Sequence, residues 1–309
     1  IEIRGLGDDI FAVKAKPFTD SQLPLTVKKL NELGLSIPCL ASGCGLKFKE
    51  NHNKNISEIT QYIVLAQRLG TPYIRVLGDL EPQPQGEVDD SYVADVLRVL
   101  GTIAEGFGVT LLVETNGVYA DTKRLKALLD NVGSNGVAAL WDMHHPYRYM
   151  NETPAETVEN LGSYIKYIHV KDSIINNGSC EYRLMGEGDM PLEEMFDQLT
   201  AIGYDGFISL EWVKRWSQEL SDAGVVFPKF ANYMRDYFEA KESTDESLQK
   251  NRTGTGEFVW PKEKLINLTF PDVLDKMVEK FPDQPCFRFT EVDYTRSYKE
   301  FRDDVDTFA

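Results

Sequence analysis

Residues 138–146 read Ala-Ala-Leu-Trp-Asp-Met-His-His-Pro, an apolar run that ends in Asp142, His144 and His145 and stops at Pro146. Half of the four histidines in the chain sit in this one stretch. A carboxylate beside imidazoles can ligate a divalent metal or pass protons, provided other groups join it. The same kind of ending recurs: Leu111-Leu112-Val113 closes on Glu114, Tyr167-Ile168 on His169, and Ser209-Leu210 on Glu211. Each alone fits a solvated or salt-bridged strand end as well as a site. Four together make that bland explanation poor. Two glutamates, an aspartate and a histidine offer oxygen and nitrogen donors suited to Mn2+, Mg2+, Co2+ or Zn2+.

Something must bring four distant strand ends together. The pattern shows short apolar strands alternating with helical periods. Strands are expected at residues 1–4, 37–41, 73–77, 110–113, 137–141, 165–170 and 207–212. Between and after them, helical spacing covers 25–33, 56–69, 91–107, 121–129, 155–161, 192–202 and 227–239, while 176–189 reads as loop. Seven strands alternating with helices imply a parallel α/β fold. No Gly-rich phosphate turn follows the first strand, which argues against a doubly wound sheet. The expectation is therefore a (β/α)8 TIM barrel lacking strand 1, whose C-terminal strand tips converge on one face. Such an open barrel exposes strand edges, so marginal stability or a homodimer that covers the gap is expected.

Composition narrows the function. The formal net charge of -16, with no basic run, argues against a nucleic-acid partner. Cys39, Cys44, Cys180 and Cys286 form no CxxC pair, so neither a zinc ribbon nor a disulfide framework is expected. No stretch of about 18 apolar residues suggests a membrane span. A cytoplasmic protein fits these features. The first residue is Ile1 rather than Met, so the chain reads as an excerpt of something longer.

Five motifs then carry a resemblance: ETN at 114–116, WDMHH at 141–145, YIHVKD at 167–172, GEGDMPLEEMFDQL at 186–199 and GYDGFISLEW at 203–212. In order and spacing they resemble the sugar phosphate isomerase/epimerase family, xylose isomerase-like TIM barrels related to endonuclease IV. The resemblance covers residues 1–240. It implies that Glu114, Asp142, His169 and Glu211 bind one divalent metal, from strands 5, 6, 7 and 8. It also implies proton transfer through an enediolate, with Glu114 and Glu211 as acid and base, on a sugar, sugar phosphate or sugar acid. His145, Lys171 and Arg183 are candidates to orient substrate oxygens, although a surface salt bridge suits Lys171 and Arg183 equally well. Arg75 is expected to form a structural ion pair, Trp141 and Trp212 to pack beside the site, and His144 to be a structural neighbour. His52 is expected in a solvated loop. The nuclease branch draws on about five histidine ligands, and this chain has four histidines in all. Alternatives to the isomerase are an inositol-type dehydratase using the same metal site and a non-catalytic ligand-binding barrel.

Residues 241–262 are polar and turn-rich, a linker by composition. Beyond them, FPDVLDKMVEKFPDQP at 270–285 and TRSYKEFRDDVDTFA at 295–309 resemble the opening of the AMP-forming acyl-CoA synthetase family, a helix, a hairpin and a second helix. That resemblance implies a barrel fused to such a ligase, with residues 263–309 as its N-terminal α+β fragment. No adenylating motif lies within the chain, so it assigns no ligase activity.

Overall fold

A computed structural model describes residues 1–244, 270–289 and 294–308, in two compact units, Ile1–Arg235 and Asp236–Ala309. In the first unit, six parallel strands form one sheet, in the order β1 (Cys39–Gly45), β2 (Tyr73–Leu77), β3 (Thr110–Glu114), β4 (Val137–Asp142), β5 (Ile165–Val170) and β8 (Ile208–Leu210). Helices α1 (Leu23–Glu32), α2 (His52–Leu69), α3 (Asp90–Gly106), α4 (Thr122–Val132), α5 (His144–Met150), α6 (Pro154–Leu161), α7 (Leu192–Ala201) and, as far as Arg235, α8 (Ala223–Thr244) accompany it. This is a parallel α/β half-barrel, consistent with the TIM barrel expected from the alternation of strands and helices.

Side chains along a strand alternate between two faces. One face of the sheet carries Cys39, Tyr73, Leu112, Ala138, Leu140 and Tyr167, packed as one core cluster. Two residues further along the same strands, on that same face, stand Arg75, Glu114, Asp142 and His169. The apolar layer is thus a floor beneath the polar tips. The opposite face, with Leu111, Val113, Ala139, Trp141, Ile168 and Val170, is buried too, as a parallel sheet covered by helices requires. α3 supplies Val93, Leu97 and Leu100, and α4 supplies Leu125 and Leu128, to that outer layer. Helix starts are fixed by side chains: Asp89 and Asp121 accept from the first-turn amides of α3 and α4, and Thr153 with Glu156 closes a reciprocal capping box on α6.

Three departures from the expected pattern bear on the site. Residues 1–4 do not form a full strand. Ile3 makes a single parallel bridge to Leu40 of β1, so the described residues give six sheet strands and a seventh stave held at one point. Residues 176–189 are not simply loop. β6 (Asp172–Asn176) and β7 (Ser179–Arg183) make an antiparallel hairpin through Asn177 and Gly178, both at positive φ (49° and 80°), as a tight two-residue turn demands. His52 opens α2 rather than lying in a loop, with Nδ1 3.1 Å from the Tyr92 hydroxyl.

In the second unit, α9 (Phe270–Lys280), an antiparallel pair β9 (Pro285–Phe289) and β10 (Tyr294–Ser297), and α10 (Tyr298–Phe308) follow one another. Lys241–Thr244 of the expected linker belong to α8, and residues 245–262 lie outside the described residues. Among the described residues, no helix is long and apolar enough to cross a membrane.

Candidate metal centre

Four donors meet at the strand tips. Ligand atoms of Glu114, Asp142, His169 and Glu211 all lie within 4.8 Å of one another. Glu114 and Asp142 are the last residues of β3 and β4, and His169 is the penultimate residue of β5. Glu211 follows β8 by one residue, its amide still bonded to the Val170 carbonyl at 3.0 Å. His169 Nδ1 stands 3.2 Å from Glu114 Oε1 and 3.7 Å from Glu211 Oε1, so one small volume is shared by an imidazole and two carboxylates.

The backbone beneath them is stitched. The Asp142 amide donates to Thr115 Oγ1 at 2.9 Å, and that hydroxyl donates to the Asp142 carbonyl at 3.1 Å. Asn116 Nδ2 donates to the carbonyls of Asp79 and Glu81 at 2.8 and 3.0 Å, tying the end of β3 to the loop after β2. The ETN motif therefore supplies one donor and two fasteners.

Fixed cations compensate the carboxylates. Arg75 Nη1 donates to Glu114 Oε2 at 2.8 Å, the ion pair expected of Arg75. Burial pushes the Glu114 pKa up, but the Arg75 guanidinium and the hydrogen bond from His169 prevail and hold it at about 2. Of the two roles expected for Lys171, orienting substrate oxygens or a surface salt bridge, burial removes only the surface one. It is 1% exposed, and its ammonium touches both Asp142 Oδ2 and Glu211 Oε2. Burial works against the Lys171 charge, yet those two carboxylates raise its pKa well above the ordinary value. Burial likewise works against a charged His169, and Glu2 and Glu114 outweigh it.

His145, three residues after Asp142 on α5, is buried, and burial lowers its pKa from the ordinary imidazole value. Its Nδ1 lies 3.0 Å from the Thr115 carbonyl and donates there, while Nε2 stands 3.7 Å from Asp142 Oδ2. His144 is also fully buried, with Nε2 3.0 Å from Ser173 Oγ and 3.4 Å from Cys180 Sγ. It stands with Asp142 and His145 in a second group of metal-competent side chains. Arg183 is not brought to the cluster. It lies on β7, pairs with Glu181, and lines a cleft of about 540 Å3 between the hairpin and residues 212–221. Trp141 is buried, and Trp212 Nε1 donates to the Ser221 carbonyl at 2.9 Å.

Two residues of the site escaped the sequence reading. Glu2 reaches His169 and Ser209 from the segment before β1. The alternation Ile1-Glu2-Ile3-Arg4 was the available signal, since it places Glu2 opposite the buried Ile3. Asp172 is 1% exposed and gathers the GEGDM loop: Oδ2 accepts from Gly186 and Gly188 amides at 2.9 Å each, and Oδ1 from Ser173 at 2.8 Å.

Three carboxylates and an imidazole suit a divalent cation, and two of those carboxylates already hold a cationic group in Lys171, so the residues fit a metal. A cleft of about 180 Å3 opens onto Glu2, Arg75, His169 and Glu211.

Comparison with known proteins agrees with this fold. The sequence profile of the xylose isomerase-like TIM barrel matches residues 1–235, and the chain belongs to that family. An uncharacterised protein of Methanocaldococcus jannaschii is 31% identical over 141 residues, 40% of this chain and 46% of that relative. Fructoselysine 3-epimerase of Escherichia coli O157:H7 is 26% identical over 132 residues, 41% of this chain and 47% of the enzyme. The chain thus spans about half the length of the curated relatives it matches. A xylose isomerase-like TIM barrel protein of Mycobacterium smegmatis, solved in complex with magnesium, shares the fold. Its TM-score is 0.57 at 19% identity, over 72% of this chain and 78% of that one.

Proposed function

We propose that the first unit is a divalent-metal-dependent isomerase or epimerase that moves a proton on the carbon beside the carbonyl of a sugar, sugar phosphate or sugar acid. The observation that carries this reading is the convergence of Glu114, Asp142, His169 and Glu211 within 4.8 Å beside an open cleft. The fructoselysine 3-epimerase among the relatives supports it.

Glu114, Asp142, His169 and Glu211 would hold one ion of Mn2+, Mg2+, Co2+ or Zn2+. When bound, it would supply positive charge to the carbonyl and adjacent hydroxyl oxygens of the sugar as the proton leaves. Glu114 and Glu211 act as the acid–base pair. Their Oε1 atoms approach the same imidazole nitrogen, at 3.2 and 3.7 Å, which supports a shared role at one bound carbon. The Glu211 side chain is 26% exposed and meets the entering sugar first, whereas Glu114 is 2% exposed and pinned by Arg75. For epimerisation, one carboxylate takes the C–H proton and the other returns a proton to the opposite face; isomerisation needs one carboxylate. His145 offers Nε2 and Lys171 its ammonium to substrate oxygens, and Arg183 serves a substituent that extends into the hairpin cleft.

Glu211→Gln is expected to abolish metal-dependent turnover on a panel of ketoses while leaving the thermal unfolding midpoint near that of the parent; retained turnover refutes the assignment. Turnover of keto-inositols alone would replace it with the dehydratase.

We also propose that residues 263–309 are the opening of an AMP-forming acyl-CoA synthetase domain, joined to the barrel through residues 241–262. The order α9, β9, β10, α10 supports this. A downstream reading frame without an adenylating phosphate loop would overturn it. Homodimerisation through the outer edge of β8 is proposed on the same footing, with sedimentation velocity as its check; among the described residues that edge has no partner strand.

A further inference from the structure

The His169 ring is divided between two sets of partners. Nδ1 faces Glu114 Oε1 at 3.2 Å and Glu211 Oε1 at 3.7 Å, inside the donor set. Nε2, on the other side of the ring, lies 3.0 and 2.9 Å from the two carboxylate oxygens of Glu2. Both groups are screened from water, the side chains being 2% and 12% exposed. Ser209 Oγ donates to Glu2 Oε2 at 2.7 Å and holds that carboxylate in turn. Glu2 is not itself among the four residues whose ligand atoms converge.

We infer that Glu2 is a positioning residue of the metal centre: its carboxylate holds the proton on His169 Nε2, fixes the ring plane and turns Nδ1, whose own proton a metal would displace, toward the donor set. A ligating histidine usually donates its second ring N–H to a carboxylate or carbonyl, which orients the ring and raises its basicity. A carboxylate is a stronger acceptor for that N–H than a neutral oxygen. The inference rests on the metal reading above, but it assigns a role to a residue before β1 that the ligand set leaves out.

A purely structural role is the competing account, because Glu2 also ties residues 1–4 to β5 and β8. The two accounts separate on metal affinity. Isothermal titration of Mn2+ into the full chain, stripped with chelator, is the measurement, alongside thermal unfolding of each metal-free variant. Glu2→Ala is expected to weaken Mn2+ binding about 10- to 100-fold. Glu2→Gln, which keeps a neutral acceptor, should restore part of that loss, and Ser209→Ala should weaken binding less than Glu2→Ala. A wild-type Mn2+ affinity in Glu2→Ala overturns the inference even if the variant is less stable. Should Glu2→Ala fail to fold, Glu2→Gln decides, and wild-type affinity there overturns it equally. A parent chain that binds no Mn2+ removes the inference together with the metal reading. Normal metal response to these variants without turnover of any ketose would remove the proposed function alone.

Discussion

Arg75 on β2 and Glu114 on the neighbouring β3 meet inside the barrel, Nη1 to Oε2 at 2.8 Å, with 7% and 1% of their surfaces exposed. The pair couples stability to chemistry, since it keeps Glu114 ionised and aims its free oxygen at His169. Removing one partner of a buried ion pair strands the other charge, at a cost of about 3–5 kcal/mol. Arg75→Met should therefore lower unfolding free energy by about that amount in urea titrations without metal. A loss below 1 kcal/mol would mean that Glu114 finds another cation.

Lys171 poses the opposite case, because its ammonium competes with any metal for Asp142 Oδ2 and Glu211 Oε2. Lys171→Met should bind Mn2+ more tightly than the parent and unfold more readily without it, since Asp142 is fully buried. The two effects have one cause and must appear together. Calorimetric titration and chelated thermal melts read them separately, and weaker Mn2+ binding in the variant would show that Lys171 supports the ion instead of rivalling it.

The period-two alternation explains how much of this site could be seen in the sequence. Leu112-Glu114, Leu140-Asp142 and Tyr167-His169 are two-residue steps along one face, so the core layer and the donors were written in the same register. For Glu2 the alternation sets only the face, opposite Ile3, and names no partner. Its segment makes a single bridge, and only the three-dimensional closeness of His169 and Ser209 gives it a role. The Lys171 pairing was hidden for a similar reason: its partners lie 29 and 40 positions away, and no local pattern links them. The hairpin was legible and overlooked. Asn177-Gly178 is a strong two-residue turn signal, masked by the polar run around it.

The GEGDM loop leads to a test of Asp172. A methyl group on Gly188 would fall against the Asp172 carboxylate and within 2.5 Å of the Ser173 carbonyl, a backbone atom with little room to yield. Gly188→Ala should displace the loop and break the amide bonds at Asp172. Faster amide exchange at Gly186 and Gly188, with exchange across β3 and β4 unchanged, is the expected signature. Unchanged exchange at both glycines would show that the loop does not depend on Asp172.

The capping box of α6 gives a prediction remote from the site. Thr153→Ala removes the acceptor for the Glu156 amide and should cost about 1 kcal/mol. The backbone and side chain of Thr153 hold the Glu156 carboxyl below its ordinary pKa of 4.5. A depressed acid stabilises the fold above its unfolded pKa and loses that contribution as pH falls through the folded one. The gap between parent and Thr153→Ala should therefore narrow below about pH 4.5 in denaturant titrations. A gap that stays constant down to pH 3 would assign the cost to the hydroxyl alone.

Metal addition should report on the whole donor set at once. A ligand that binds only the folded chain stabilises it by about 2.7 kcal/mol at 100 times its Kd. In the parent, Mn2+ in that excess should raise the thermal midpoint by several degrees, on the scale of roughly 2–4 °C per kcal/mol for a unit of this size. Asp142→Asn keeps the volume of the side chain but withdraws one charged donor and the partner of Lys171, so its response to Mn2+ should be much smaller. Sr2+ offers a size control, because four donors within 4.8 Å suit a small ion better than a large one. Equal shifts with Mn2+ and Sr2+, or an undiminished shift in Asp142→Asn, would place the cations on the acidic surface of a chain whose net charge is -16, and not among these four residues.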